Sequence, residues 1–157
     1  MQGNSFKTLK ILHTALTFGL ASFLIVAYIL VSQEMMPVNS DKTMETAFQA
    51  VAAVISFGCL VAGFTIFRKQ MTAARNATPA DVRFGMYRGA CVVWWAMLEG
   101  PGLFATVAYL LTGNLVFIVL ALFHLGLLIV FMPRKDNIIV LLNLTSDDVQ
   151  KLEGGTF

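Results

Sequence analysis

Charge is what this sequence has least of. Only 13% of its 157 residues are Asp, Glu, Lys or Arg, against about a quarter in a soluble domain. With 57% hydrophobic residues and a mean hydropathy of +0.75, a water-soluble fold of this size is excluded and one small integral membrane domain is implied. The net charge of +2 is too small to hold nucleic acid, and the basic residues flank long apolar runs, where membrane topology accounts for them. Cysteine is also scarce. Cys59 and Cys91 sit in apolar runs without metal-type or redox-type spacing, so buried free thiols are expected. A nucleophile paired with a base, a phosphate loop and a dinucleotide fingerprint are all missing. No catalytic residue, metal site or cofactor is therefore expected, and the chain reads as a non-enzyme. The first apolar run outlasts the about 7–15 residues of a secretory signal and no small-residue cleavage site follows it, so it reads as a span.

What is present is four apolar runs. Ile11 to Val31 forms the first, after a polar start carrying Lys7 and Lys10. Ser32 to Glu45 is an acidic loop with Glu34, Asp41 and Glu45, broken by Pro37 and Asn39. Thr43 can cap the next helix, whose apolar run continues through Phe67. Arg68, Lys69, Arg75, Arg83 and Arg88 then face the single acid Asp81 in the strongest basic cluster, which the positive-inside rule makes cytoplasmic. Thr78-Pro79-Ala80-Asp81 reads as a helix start, with Thr78 as N-cap and Pro79 at the first helical position. The third span runs to Thr112, Gly113-Asn114 is a tight turn, Leu115 to Met132 is the fourth span, and Pro133 ends it before Arg134-Lys135. The expected fold is an all-α four-helix transmembrane bundle over residues 1–135, with hairpins at 9–69 and 79–133 and both termini cytoplasmic. Residues 136–157 form a short tail, either a helix packed on the bundle or a docking element for a soluble partner.

The halves resemble each other. Ala15 to Leu30 (ALTFGLASFLIVAYIL) aligns without a gap on Ala96 to Leu111 (AMLEGPGLFATVAYLL), sharing Gly19/Gly100, Phe23/Phe104 and Ala27-Tyr28/Ala108-Tyr109. Two parallel-repeated hairpins about an axis along the membrane normal are the expectation. In that alignment Phe18 holds the place of Glu99, so the acid belongs to one half only.

Glu99 lies near the middle of the third span, where an ionisable side chain costs about 2.5–3.5 kcal/mol on insertion scales and marks a functional site by default. Pro101, within Gly100-Pro101-Gly102, cannot donate to the carbonyl four residues back, which frees the Met97 carbonyl and predicts a kink. A freed carbonyl beside a carboxyl suits H⁺ or Na⁺. It is equally what any kinked helix contains. Folding the third and fourth spans about Gly113 sets His124 opposite Gly102, within about a turn of Glu99. His124 then serves as a structural hydrogen-bonding group, a relay partner of Glu99, or a metal or haem ligand. His13 falls nearer the cytoplasmic edge, which argues against paired haem ligation with His124. Trp94 and Trp95 are packing or interfacial residues, or a platform for a quinone or lipid.

Arg75-Asn76 followed by AMLEGPGLFATVAYLL resembles the loop and carboxylate helix of the rotary ATPase proteolipids, the c subunits. That resemblance implies an H⁺- or Na⁺-binding role for Glu99 alone. The chain departs from the family in carrying only Gly58 and Gly63 between Val51 and Ile66, not a dense glycine stripe. As a whole, with its LEGPGLF segment and PRKDNIIVLLNLTSDD tail, it resembles the small four-helix inner-membrane proteins of bacteria, which implies a bundle in the bacterial cytoplasmic membrane. Three functions follow as expectations. One is a membrane subunit whose Glu99 binds H⁺ or Na⁺ and couples it to conformation or transport, and another is a non-catalytic accessory subunit, homo-oligomeric or within a larger membrane complex. The third is a glutathione- or lipid-dependent membrane enzyme, resembling the four-helix glutathione-dependent membrane proteins. Membrane lipids are partners under each.

Overall fold

The computed structural model describes residues 5–38 and 41–154. They form six helices and, among the described residues, no strand: α1 (Ser5–Ser32), α2 (Lys42–Arg75), α3 (Ala80–Thr112), α4 (Leu115–Val130), α5 (Lys135–Leu142) and α6 (Ser146–Gly154). The first three are each long and apolar enough to cross a membrane, and α4 with α5, bent by 69° at their junction, makes a fourth candidate. The chain is thus an all-α bundle built for multiple membrane passes.

The helix boundaries follow local chemistry. Asp41, not Thr43, caps α2: its carboxylate accepts from the Thr43 N–H at 2.8 Å, the N-cap bond that an acid makes as well as a hydroxyl. α2 then runs through Arg75, so Arg68 and Lys69 lie on a helix that projects beyond the apolar run rather than in a loop. At the start of α3 the N-cap is Pro79 and Ala80 is the first helical residue. α3 continues through Pro101 to end on Gly113, whose φ of 69° puts it in the left-handed region where glycine carries no Cβ penalty. Asn114 caps α4 by accepting from the Val116 N–H at 3.0 Å. α4 stops at Val130, two residues before the end expected for the fourth run.

The packing departs from two equivalent hairpins. α3 is the centre, and α1, α2 and α4 each pack mainly against it; α1 also touches α4, while consecutive α1 and α2 have no substantial interface. α1 and α3 run parallel and level, with Phe6 against Phe84, His13 against Trp95 and Leu20 against Gly102. α2 runs antiparallel to α3, with Phe48 beside Phe104 and Phe64 beside Trp94. The reason lies in small residues. Gly63 of α2 lets Trp94 approach so closely that an added Cβ would stand 2.8 Å from the ring, while Ala52 of α2 and Ala105 and Ala108 of α3 are fully packed. In lipid, where no hydrophobic force draws helices together, such close backbone approach selects the partner. The connection from Ser32 to Asp41 is long enough to carry α2 to the far side of α3. Val38 in that connection packs over Gly113, and the Asn114 side-chain amide donates to Glu45 at 3.2 Å, tying the α2 start to the α3–α4 turn.

At the opposite end the tail folds back onto the bundle. Ile138 and Leu142 of α5 are buried with Leu9, Met71, Phe84 and Tyr87, so the tail's apolar patch completes the core. Asn143, at φ 51° and ψ 52°, ends α5 in the left-handed conformation. Its N–H donates to Val140 and that of Leu144 to Ile139, the paired bonds of a Schellman ending. Thr145 and Asp148 then exchange bonds, Asp148 N–H to the Thr145 hydroxyl and Thr145 N–H to the Asp148 carboxylate, a capping box at the start of α6.

Candidate functional site

Glu99 follows Leu98, which is fully buried and central to the packed face of α3, and shares a flank with Trp95 and Gly102, which meet α1. The face of α3 that continues beyond it, Ala96, Gly100 and Val107, is exposed. Glu99 is therefore half-buried at the border between the α1–α3 contact and the outer surface of the helix. It stands about 20 Å of helical rise from the Thr112 end of α3, well inside the apolar run. Among the described residues no hydrogen bond or ion pair reaches its carboxyl.

The side chains grouped with Glu99 by sequence point to different neighbours. Met97 is turned toward α2, where its Cβ would lie 3.0 Å from a Cβ on Gly63. Two residues along an α-helix amount to about 200° of rotation, so the Met97 and Glu99 side chains occupy nearly opposite faces; the Met97 group expected at the site is its backbone carbonyl, which Pro101 leaves without its N–H donor. Gly102 does face His124, as the folding of the third and fourth spans about Gly113 predicts: a Cβ there would stand 3.3 Å from that of His124 and 2.9 Å from the Leu20 side chain. Gly100 and Pro101 divide, one exposed and the other buried.

His124 is fully buried and its Nε2 pairs with the Ser56 hydroxyl at 3.1 Å. This bond crosses from α4 to α2 and gives the imidazole a structural hydrogen bond. The Leu98 carbonyl of α3 approaches the ring without completing a hydrogen bond, and Nδ1 is buried without a partner among the described residues. Ser56 carried no signal in the sequence beyond being a small polar residue in an apolar run.

His13, expected near the cytoplasmic edge, lies level with the last turn of α4 and is buried in the core, 4.8 Å from the Trp95 ring in an edge-to-face contact. Its Nε2 donates to the Leu128 carbonyl at 2.9 Å. That carbonyl lies in the last turn of α4, where the Met132 N–H goes to Ile129 and Pro133 has none to give. An imidazole at a helix C-terminus satisfies such an orphaned acceptor and suits its negative dipole end.

The basic cluster divides in a way that charge counting does not foresee. Arg68, Lys69 and Arg88 are exposed, and the Arg68 guanidinium lies 5.8 Å from the centre of the Phe64 ring. Arg75 and Arg83 hold the tail. Arg75 Nε donates to the Leu141 carbonyl at 2.8 Å, and one Arg83 nitrogen donates to the Leu142 and Asn143 carbonyls at 3.0 Å each. Arg83 also pairs with Asp148 at 3.8 Å. The two guanidinium groups thus cover the three carbonyls that α5 leaves open at its end.

Among the described residues no group of His, Cys, Asp and Glu is arranged to hold a metal ion. Cys91 is buried and Cys59 half-buried, both as free thiols. Comparison of the chain with protein-family profiles, with curated proteins and with solved structures gives no match.

Proposed function

We propose that this chain is a non-catalytic subunit of a larger membrane assembly, in which Glu99 makes its polar contact with a group outside the chain. The observation that carries this reading is the carboxyl itself. It sits within the apolar run, half-exposed on the flank of the central helix and bonded to nothing among the described residues. A polar group inside a bilayer is retained where something satisfies it, and interhelical hydrogen bonds between separate helices do so at about 1–2 kcal/mol in model peptides. A second copy or another subunit, bearing a donor at the same depth, is the natural source.

The rival reading, in which Glu99 carries H⁺ or Na⁺ for transport, has one support weakened, because Nε2 of His124, the relay candidate, pairs with Ser56. It keeps the lateral exposure of the carboxyl, which leaves it open to exchange from the side of the bundle.

Two substitutions separate the readings. Gln can still form a hydrogen bond but cannot titrate; Leu can do neither. Glu99→Leu is expected to release the partner or the second copy in mild detergent, seen by native mass spectrometry, while Glu99→Gln retains it. Unchanged assembly in Glu99→Leu, together with Na⁺- or alkali-protected reaction of the native carboxyl with a hydrophobic carbodiimide, would replace the assembly reading by the ion-carrying one.

A further inference from the structure

α2 and α4 flank α3 without a substantial interface with each other, which leaves a trench between them with α3 as its floor. The His124–Ser56 bond crosses it and divides it in two. One compartment, about 410 Å³, lies toward the Asn114 end between Ala52, Gln49, Phe117 and Phe123. The other, about 390 Å³, lies toward the basic end and is lined by Phe57, Val61, Phe64, Trp94, Leu127 and Phe131.

The second compartment differs from the first in two respects. Its floor residue Trp94 is only 4% exposed, yet its indole N–H has no partner among the described residues, whereas a buried Trp N–H normally finds one. Its α2 wall carries a cation, Arg68, laid over the lining residue Phe64, and on the α4 side Arg134 follows three residues after the lining residue Phe131. Asp136 in the first turn of α5 is the acid of that segment. An apolar trench at hydrocarbon depth that opens under guanidinium groups at headgroup depth fits one class of molecule.

We propose that this compartment binds an acidic phospholipid, with an acyl chain in the trench between Phe57 and Phe131 and the phosphate at Arg68 and Arg134. Arg is suited to the phosphate because its planar fork donates in pairs, and basic residues beside a membrane surface favour anionic lipid by about 1 kcal/mol each.

Tryptophan fluorescence of the full chain, reconstituted in phosphatidylcholine vesicles, tests this with lipids brominated on the acyl chain. Brominated phosphatidylglycerol is expected to quench at least twofold more than brominated phosphatidylcholine at equal mole fraction. Trp94→Phe should remove most of that quenching and show that it reports the trench, since Trp95 is sealed behind His13. Arg68→Gln with Arg134→Gln should abolish the preference while the circular dichroism of the helices is unchanged, and Val61→Phe, which fills the trench, should lower quenching by either lipid. Equal quenching by the two lipids, or a preference that survives loss of both arginines, would overturn the proposal. So would protection of Trp94 from both lipids in a species that native mass spectrometry shows to be dimeric, which would give the trench to a helix of a second copy.

Discussion

The bond between His124 and Ser56 shows how one polar pair is held where water is absent. The Ser56 hydroxyl and His124 Nε2 pair across the gap between α4 and α2, and the imidazole is fully buried. Removing one partner strands the other, a cost of about 1–3 kcal/mol for a buried group left unsatisfied. Measured interhelical bonds in a membrane protein average lower, about 0.6 kcal/mol, because the membrane-bound reference state also finds partners. Ser56→Ala is therefore expected to lower unfolding free energy in detergent by about 0.5–2 kcal/mol. The double variant Ser56→Ala with His124→Leu is expected to recover part of that loss, since replacing both polar groups leaves nothing unpaired. Equilibrium unfolding in mixed micelles reads both effects, and strictly additive losses would show that the pair is not coupled. The sequence placed His124 against Gly102 correctly because the tight turn at Gly113 fixes depth along two adjacent helices. It did not identify Ser56, because no residue spacing relates α2 laterally to α4.

At the scale of elements, the tail is the clearest case of charge used for geometry. Residues 135–142 are helical with Ile138 and Leu142 buried, so α5 would pack without help, but it ends beneath the bundle with open carbonyls. Arg75 and Arg83 supply the donors. Hydrogen bonds to a charged group contribute about 1.5–3 kcal/mol when desolvated, and less here because both side chains are partly exposed. Arg83→Ala is expected to free α5 and α6 while the four long helices stay packed. Amide exchange over residues 135–150 should then accelerate about tenfold or more, with α3 unaffected; equal protection in the variant would show that apolar packing alone holds the tail. Arg83→Lys should recover only part of the protection, since one ammonium presents no planar fork to two carbonyls. The amphipathic patch and the Thr145–Asp148 capping box were legible in the sequence, because both are periodic or local. The arginine clamp was not, because the same residues satisfy the topology rule for basic loops equally well.

For the whole molecule, the connectivity sets which ends meet. α6 reaches both α1 and α3, and the buried residues of α5 join Leu9 near the start of α1, so the chain begins and the tail docks at one end of the bundle. The Ser32–Asp41 connection meets the α3–α4 turn at the other. In sealed vesicles, Asn76→Cys and Asp147→Cys, in a background with Cys59 and Cys91 replaced by Ala, are expected to react with an impermeant maleimide from one side, and Met35→Cys from the other. Labelling of residues 76 and 147 from opposite sides would contradict an even number of crossings between them. By itself the sequence determined the long apolar helices and the turn at Gly113, with their ends to within a few residues: apolar run length sets how much chain a bilayer holds, and caps and turns act locally. Only the tertiary structure decided who stands beside whom. It put α3 at the centre, set α2 apart from α1, turned Glu99 to the outer flank, and packed His13 against Trp95. The physical reason is that lateral choice among equally apolar helices rests on how closely small residues such as Gly63 and Gly102 let two backbones approach, a three-dimensional fit that no one-dimensional period encodes.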